Sequence, residues 1–161
     1  MTNPESVIAA LENAPGIIIP MIREISGAVV KRRPRPGKWS AHEHACHLAE
    51  VHTLFFNRLD LMLREQSPRI TPYDPDRDMD EDALLKMDLY EAMGRFSSDR
   101  RQLVERLKAL STDDWQRTAA HEEYAHYSVF IMFRHLALHD MLHAYRIEEL
   151  LLKKDWEEEK K

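Results

Sequence analysis

The sequence has 161 residues but only one cysteine and four glycines, and no run of apolar residues approaches the length of about 20 that spans a bilayer. Cys46 has no partner for an internal disulfide, which is typical of a reducing compartment. The N-terminus also lacks the basic and apolar regions of a secretory signal. We therefore expect a cytoplasmic protein without a membrane partner.

An excess of positive charge is also missing. Lys and Arg number 23 against 28 Asp and Glu, giving a formal net charge of −5. Because phosphate binding needs clustered positive charge, this balance predicts no nucleic-acid partner, and the basic segment 31–38 is interpreted as a solvated connector. With 43% hydrophobic and 32% charged residues, the composition is typical of a globular protein. The length predicts one domain, residues 1–161, with a single core.

Apolar residues recur at helical spacing in four segments, and no segment of useful length alternates like a half-buried strand. The sequence therefore predicts an all-α fold. The first helix is expected to be interrupted at Pro15 and Gly16, because proline breaks the hydrogen-bond ladder. The expected helices are Pro4–Val30, Ala41–Glu65, Glu81–Leu110 and Ser128–Lys154, with a short turn at Thr112–Trp115.

The second helix has a defined start. Ser40 and Glu43 form the S-x-x-E pattern of a capping box, which gives Glu43 a structural role. The connection Ser67–Asp80 is long for two neighbouring helices. It predicts either a crossover along a bundle or a lid over a site.

Histidine is the abundant residue, with nine copies. His135, His139 and His143 follow one another at four-residue spacing on the last predicted helix. Residues at i and i+4 project side by side, so two imidazoles there can bind one metal ion. His139 and His143 share the apolar stripe of that helix, which places them in the core. The alternative is a pair of core histidines with hydrogen-bond partners.

A third metal ligand should come from another helix. On the second helix, His44 and His47 both lie near the apolar stripe, and helical phase does not choose between them. His42 and His52 are expected at the surface, and Cys46 in the core as a packing residue.

Two stretches carry a family resemblance. PGKWSAHEHACHLAEVH (36–52) closely resembles the W-S-x-x-E-x-x-x-H-L signature of the DinB/YfiT-like family, and HLALHDMLHAYRIEEL (135–150) resembles its second signature, a histidine pair on the last helix. The resemblance implies a four-helix bundle in up-down-down-up order, with a long crossover loop between helices 2 and 3. It also implies a metal site at His47, His139 and His143, and leaves His135 to packing or a supporting position.

Three neutral imidazoles suit zinc, nickel or a similar divalent ion, with an open position for water or a thiolate. The resemblance implies a metal-dependent hydrolase, or a transferase that uses a low-molecular-weight thiol as cosubstrate, acting on a small molecule. The alternative is a non-catalytic bundle that binds a metal or small ligand, since no general base is evident.

Supporting groups and surfaces are also expected. His121 and His126 could reach the mouth of the site, and the apolar faces of the first and last helices could support a homodimer. Asp140 is expected to form an N-terminal or an interhelical salt bridge. The candidates for orienting the imidazoles are Glu50, Asp140, Tyr145 and Glu148.

Overall fold

Four long helices form the protein. The computed structural model describes residues 3–156, and in it α2 (Ala41–Arg64) packs against α5 (Leu89–Lys108) and α7 (Val129–Leu151), as does α1 (Pro4–Glu24). Helices α1 and α2 therefore occupy opposite corners of the bundle. The predicted all-α four-helix bundle is confirmed. The helices are α1 (Pro4–Glu24), α2 (Ala41–Arg64), α3 (Pro75–Asp78), α4 (Ala83–Lys86), α5 (Leu89–Lys108), α6 (Thr112–Gln116) and α7 (Val129–Leu151); β1 (Arg69–Ile70), β2 (Ala120–His121) and a 3₁₀ turn (Lys154–Trp156) complete the fold.

Helices α2 and α5 run parallel. Side-chain hydrogen bonds join the two helices in the same order along each helix: Glu50 to Arg95, His52 to Arg100, and Asp60 to Arg106. A parallel pair needs a connection that returns along the bundle. The segment that begins at Ser67 is therefore a crossover, which is one of the two alternatives that its length predicted and the one that the family resemblance implied.

Helix α1 differs from the prediction because it continues through Pro15 and ends at Glu24. Proline has no N–H for the carbonyl of Leu11, one turn earlier. Nη1 of Arg100 donates to that carbonyl at 3.0 Å, so the acceptor left free by Pro15 is satisfied from α5. The helix thus keeps its geometry at the position where sequence reasoning placed an interruption.

Among residues 3–156, α1 is the one helix long and apolar enough to cross a membrane by length and composition. Helices buried in the core of a globular protein meet the same criterion. Leu11 and Ile18 of α1 are buried in the packed core of this bundle.

The start of α2 is confirmed in detail. Ser40 Oγ accepts the Glu43 N–H at 3.2 Å, and the Glu43 carboxylate accepts the Ser40 N–H at 2.8 Å. Glu43 is buried, and its carboxylate accepts three hydrogen bonds from the Arg33 guanidinium. Burial opposes ionisation, but the bonds from Arg33 and Ser40 outweigh it and lower the pKa of Glu43. Part of the basic segment therefore anchors α2 instead of being a free connector.

The predicted third helix is two helices. It breaks at Met87, and the Asp88 side chain caps α5 by accepting the Glu91 N–H at 2.8 Å. The short strands were not predicted, because two residues are too few to show alternation. Strands β1 and β2 pair in parallel, Arg69 with Ala120 and Ile70 with His121, and so hold the crossover beside the loop that precedes α7.

Candidate metal centre

Three imidazoles meet between α2 and α7. His47 Nε2 lies 2.9 Å from His139 Nε2, which lies 3.1 Å from His143 Nε2. Each residue offers one nitrogen, and the three nitrogens lie within 4.8 Å of one another. Tetrahedral zinc with bonds of about 2.0–2.1 Å separates its nitrogen ligands by roughly 3.3 Å. The side chains therefore converge closely enough to share one small ion.

Two of the three imidazoles are buried and His139 is half-buried, and the rings are neutral. His47 is 3% exposed and His143 8%. Burial, with a smaller effect of the neighbouring imidazoles, lowers the pKa of His47 to about 3 and also lowers the pKa of His143. Burial likewise lowers the pKa of His139 to about 4. Neutral imidazole is the form that binds metals, so the donor set fits a divalent ion near neutral pH.

His44 contacts the cluster from outside. Its Nδ1 lies 2.8 Å from Nδ1 of His143. If Nε2 of His143 directs its lone pair into the cluster, Nδ1 carries the proton and donates it to His44. Within residues 3–156, Nδ1 of His47 and Nδ1 of His139 have no hydrogen-bond partner. His44 is thus the group that orients a ring of the cluster through its outer nitrogen, a role that sequence reasoning did not assign.

The groups suggested for that role lie elsewhere. Glu50 pairs with Arg95 at 2.6 Å, and Tyr145 and Glu148 are exposed. Asp140 pairs with Arg100, which confirms the predicted interhelical salt bridge.

Three other residues of α2, close in sequence to His47, are buried: His42, Cys46 and His52. His42 Nε2 lies 3.0 Å from the Leu84 carbonyl, and Arg100 Nε donates to His52 Nε2 at 3.1 Å, so the prediction that both histidines lie at the surface was wrong. Their partners come from distant parts of the chain. Cys46 packs in the core as predicted, and burial raises its pKa to about 12.

A cavity of about 300 Å³ leads to the cluster. Its walls come from α2, α7, the crossover and the loop before α7, so the crossover also covers the site. His121 lines this cavity as predicted, whereas His126 is exposed and is not among the lining residues of the described chain. The residues that line it are Trp39, His47, Val51, Leu54, Phe55, Arg58, Pro72, Tyr73, Pro75, His121, Glu123, Tyr124, Tyr127, His135, His139 and His143.

A second cavity, of about 650 Å³, shares Trp39 with the first and has His44 in its wall. Four cations line it, together with Asp76 and Glu149. The cations are Arg35, Lys38, Arg146 and Lys153. Basic residues are therefore gathered locally although the whole chain is acidic.

The bundle and the histidine cluster define a class of helical proteins suited to binding a metal between two helices. The DinB superfamily model matches residues 10–147, and the chain belongs to that superfamily. The resemblance found in the two signatures is thereby confirmed.

Relatives span nearly the same length. A protein of Oceanobacillus iheyensis named "putative metal-dependent hydrolase" is 26% identical over 154 residues, covering 92% of this chain and 86% of its own. A Bacillus cereus protein of the same description is 23% identical over 150 residues, with the same coverage. YfiT from Bacillus subtilis, described as "a probable metal-dependent hydrolase with an unusual four-helix bundle topology", matches with a TM-score of 0.81 at 21% identity, over 91% of this chain and 85% of YfiT.

One comparison corrects a prediction. The colibactin self-resistance protein ClbS, solved in complex with a dsDNA, matches with a TM-score of 0.65 at 13% identity, over 94% of this chain and 97% of ClbS. A protein with this fold therefore binds DNA, and the exclusion of nucleic acid partners was wrong. The exclusion relied on net charge, which sums over the whole surface and does not describe local clusters such as the one lining the second cavity.

Proposed function

We propose that the protein is a metal-dependent enzyme in which Nε2 of His47, His139 and His143 hold one divalent ion, zinc or nickel, and that it acts on a small molecule. The observation that carries the proposal is the convergence of three neutral imidazole nitrogens at an open cavity. A divalent ion held by three imidazoles can lower the pKa of water or of a thiol, which supplies a nucleophile at neutral pH.

The cavity favours catalysis over a purely structural metal. Structural zinc sites are closed by four protein ligands, whereas three histidines beside a cavity leave a position for a small molecule. Trp39 packs over the rings of His47 and His143, with centroids 5.0 and 5.9 Å away, and so restricts access from one side.

Two reactions fit this arrangement, hydrolysis and transfer to a low-molecular-weight thiol. The buried carboxylate nearest in sequence to the cluster, Asp140, is engaged by Arg100, and Glu123 is exposed at the cavity wall. Neither carboxylate is arranged as a general base, so an ion held by the three histidines would supply the activation of the nucleophile. Activity toward esters in the absence of thiol indicates hydrolysis, and a thiol requirement indicates transfer.

Metal content per chain tests the proposal directly, by elemental mass spectrometry of the wild type and of His47→Ala, His139→Ala and His143→Ala. We expect close to one ion per chain in the wild type and a large loss in each variant. His135→Ala is the matched control, because His135 lines the same cavity outside the cluster. Metal that is absent from the wild type and not restored by zinc or nickel would contradict the proposal, as would equal loss in the control.

We infer DNA binding as a second candidate function, since four cations line the second cavity and the fold neighbour ClbS was solved with dsDNA. Fluorescence anisotropy with a labelled duplex at low salt tests it. Arg35→Gln with Lys38→Gln should weaken binding and reduce its salt dependence, because each phosphate contact adds to the salt slope. His139→Ala is the control and should leave binding unchanged; no binding by the wild type would refute the role.

We also propose a cytoplasmic location. The single cysteine of the chain is buried as a free thiol, which suits a reducing compartment.

A further inference from the structure

The cavity at the histidine cluster is elongated along α2. His47, Val51, Phe55 and Arg58 line it in turn. Arg58 lies eleven positions after His47, which corresponds to about 16 Å along the helix axis. His47 and Arg58 therefore line the cavity from positions about three helical turns apart on α2, with the apolar residues Val51 and Phe55 between them.

Neutral groups hold Arg58 in place. Its Nη2 donates to the Thr71 carbonyl at 2.7 Å, and its guanidinium lies 6.0 Å from the centroid of the Phe55 ring. Burial raises the pKa of Tyr127, and the positive charge of Arg58, together with a hydrogen bond between the two side chains, opposes that rise. The cation is therefore fixed between α2, the crossover and the loop before α7.

Arg58 has no carboxylate partner within ion-pair distance in the described part of the chain, unlike Arg33, Arg95 and Arg106, each of which has one. Glu123 lines the same cavity but is exposed and forms no ion pair with Arg58. A guanidinium has five N–H donors, and the Thr71 carbonyl and the Tyr127 side chain are partners for only part of them. Donors and positive charge are left over at the cavity wall.

We propose that Arg58 binds an anionic group of the substrate. The substrate is then an elongated small molecule with a carboxylate or phosphate at one end, an apolar segment along Val51 and Phe55, and its reacting group at the histidines. A planar guanidinium suits this role because it can bind either anion through two parallel hydrogen bonds. The position of the reacting end rests on the proposed metal function, whereas the anion site rests on Arg58 alone.

Binding of simple probes to metal-free protein tests the anion site, since a carboxylate could otherwise ligate the metal. The probes are 4-phenylbutanoate, its neutral amide and 2-phenylethyl phosphate, titrated by NMR. We expect at least one anion to bind about tenfold more tightly than the amide. Tighter binding of the carboxylate or of the phosphate identifies which anion the site prefers.

Substitutions of Arg58 test whether this residue causes the preference for the anionic probe over the amide. Arg58→Gln should bind acid and amide equally, and Arg58→Lys should keep part of the preference through its charge. Arg134→Gln is the matched control, because Arg134 is an exposed cation of α7 over Phe130 and is not among the cavity's lining residues. Circular dichroism and thermal unfolding verify that each variant is folded.

Three results would overturn the proposal: equal binding of acid and amide by the wild type, a preference that survives in Arg58→Gln, or no saturable binding of either anion up to about 10 mM. Metal content is measured separately and should be unchanged in Arg58→Gln. If the wild type binds no metal but still prefers the anionic probe, the proposed reaction is refuted and the anion site stands. If the wild type binds metal but shows no preference for the anionic probe, the anion site is refuted and the proposed metal function stands.

Discussion

His44 fixes the orientation of one ring in the histidine cluster. Its Nδ1 lies 2.8 Å from Nδ1 of His143, and the Trp39 ring packs beside both imidazoles. A ring held at its outer nitrogen loses less rotational freedom when its inner nitrogen binds a metal. The ring of His143 is therefore already oriented for metal binding in the metal-free protein.

Replacing His44 should weaken metal binding although all three cluster histidines stay in place. We expect His44→Leu to lower zinc affinity by about ten- to a hundredfold, the usual effect of removing such a partner. Competition with a fluorescent chelator measures it. His44→Asn is the control, because its side-chain oxygen can accept the His143 proton, and it should retain most of the affinity. Wild-type affinity in His44→Leu would show that the contact does not position the ring.

Histidine positions were predictable in part. The four-residue spacing predicted that His139 and His143 lie together, and the structure places them together. Helical phase could not choose between His44 and His47, because residues three apart on a helix differ by only about 60° in direction. Both in fact face α7, one inside the cluster and one beside it.

The burial of His52 could not be read from its neighbours in sequence, because its partner Arg100 lies on another helix. Arg100 always donates, so Nε2 of His52 must accept. His52 Nδ1 then donates to the Ala49 carbonyl at 3.3 Å. The neutral ring is held on both nitrogens.

Stability should depend on pH through His52. Burial and the Arg100 cation lower its pKa to about 4 in the folded protein, below the value of about 6.5 in an unfolded chain. Unfolding therefore takes up a proton between these values, and the stabilisation is full above pH 6.5 and lost as the pH falls toward 4. The loss from this residue amounts to about 2 kcal/mol by pH 5.

Chemical denaturation of metal-free protein at pH 7 and pH 5 measures this dependence. His52→Gln keeps an acceptor for Arg100 without a titrating ring, so its unfolding free energy should fall by roughly 2 kcal/mol less than that of the wild type. The other histidines titrate in both proteins and cancel in the comparison. An equal fall in both would show that His52 does not contribute.

Arg100 joins all four long helices. From α5 its guanidinium donates to the Leu11 carbonyl of α1, to His52 of α2 and to Asp140 of α7. The side chain is 1% exposed. A charge at this depth is tolerated because each neighbour supplies an acceptor and one of them is a carboxylate.

Arg100→Leu should destabilise the bundle by about 3–5 kcal/mol, because it leaves Asp140 charged and buried and frees the Leu11 carbonyl beside Pro15. Denaturant unfolding measures the change. Adding Asp140→Leu should restore much of the loss, since a fully apolar replacement removes the uncompensated charge. A double variant as unstable as the single one would show that the carbonyl and His52 contacts dominate.

The four long helices were predictable from periodicity, but their limits were not. Pro15 normally ends a helix, yet α1 continues through it, and the Arg100 guanidinium, from a distant segment, satisfies the carbonyl that Pro15 leaves without a donor. The parallel pairing of β1 and β2 depends on contacts between residues some 50 positions apart, which no local pattern records. The length of the connection predicted either a crossover or a lid, and the family resemblance, not the length, favoured the crossover.

On the surface of the molecule, the outer face of α7 carries an exposed apolar stripe. The spacing i, i+3, i+4 and i+7 places its four members on one side of the helix. Each is more than half exposed: Leu138 58%, Met141 55%, Leu142 51% and Tyr145 62%. The inner face of α7 has its own buried residues, so this stripe is not needed for the core of the bundle.

The homodimer expected from the sequence stays a prediction, and this stripe is the surface that would form it. A helix face can pack against its own copy about a two-fold axis, because each residue then finds a complementary apolar neighbour. Sedimentation of the wild type should show dimers at micromolar concentration, and Leu142→Lys should weaken dimerisation by tenfold or more, about the loss expected for a central interface residue. Tyr90→Lys is the control: Tyr90 is 86% exposed on α5, away from the stripe, and its replacement should leave the dimer intact. If the wild type sediments as a monomer throughout, the stripe serves another contact; if both variants dissociate, the interface includes α5 as well.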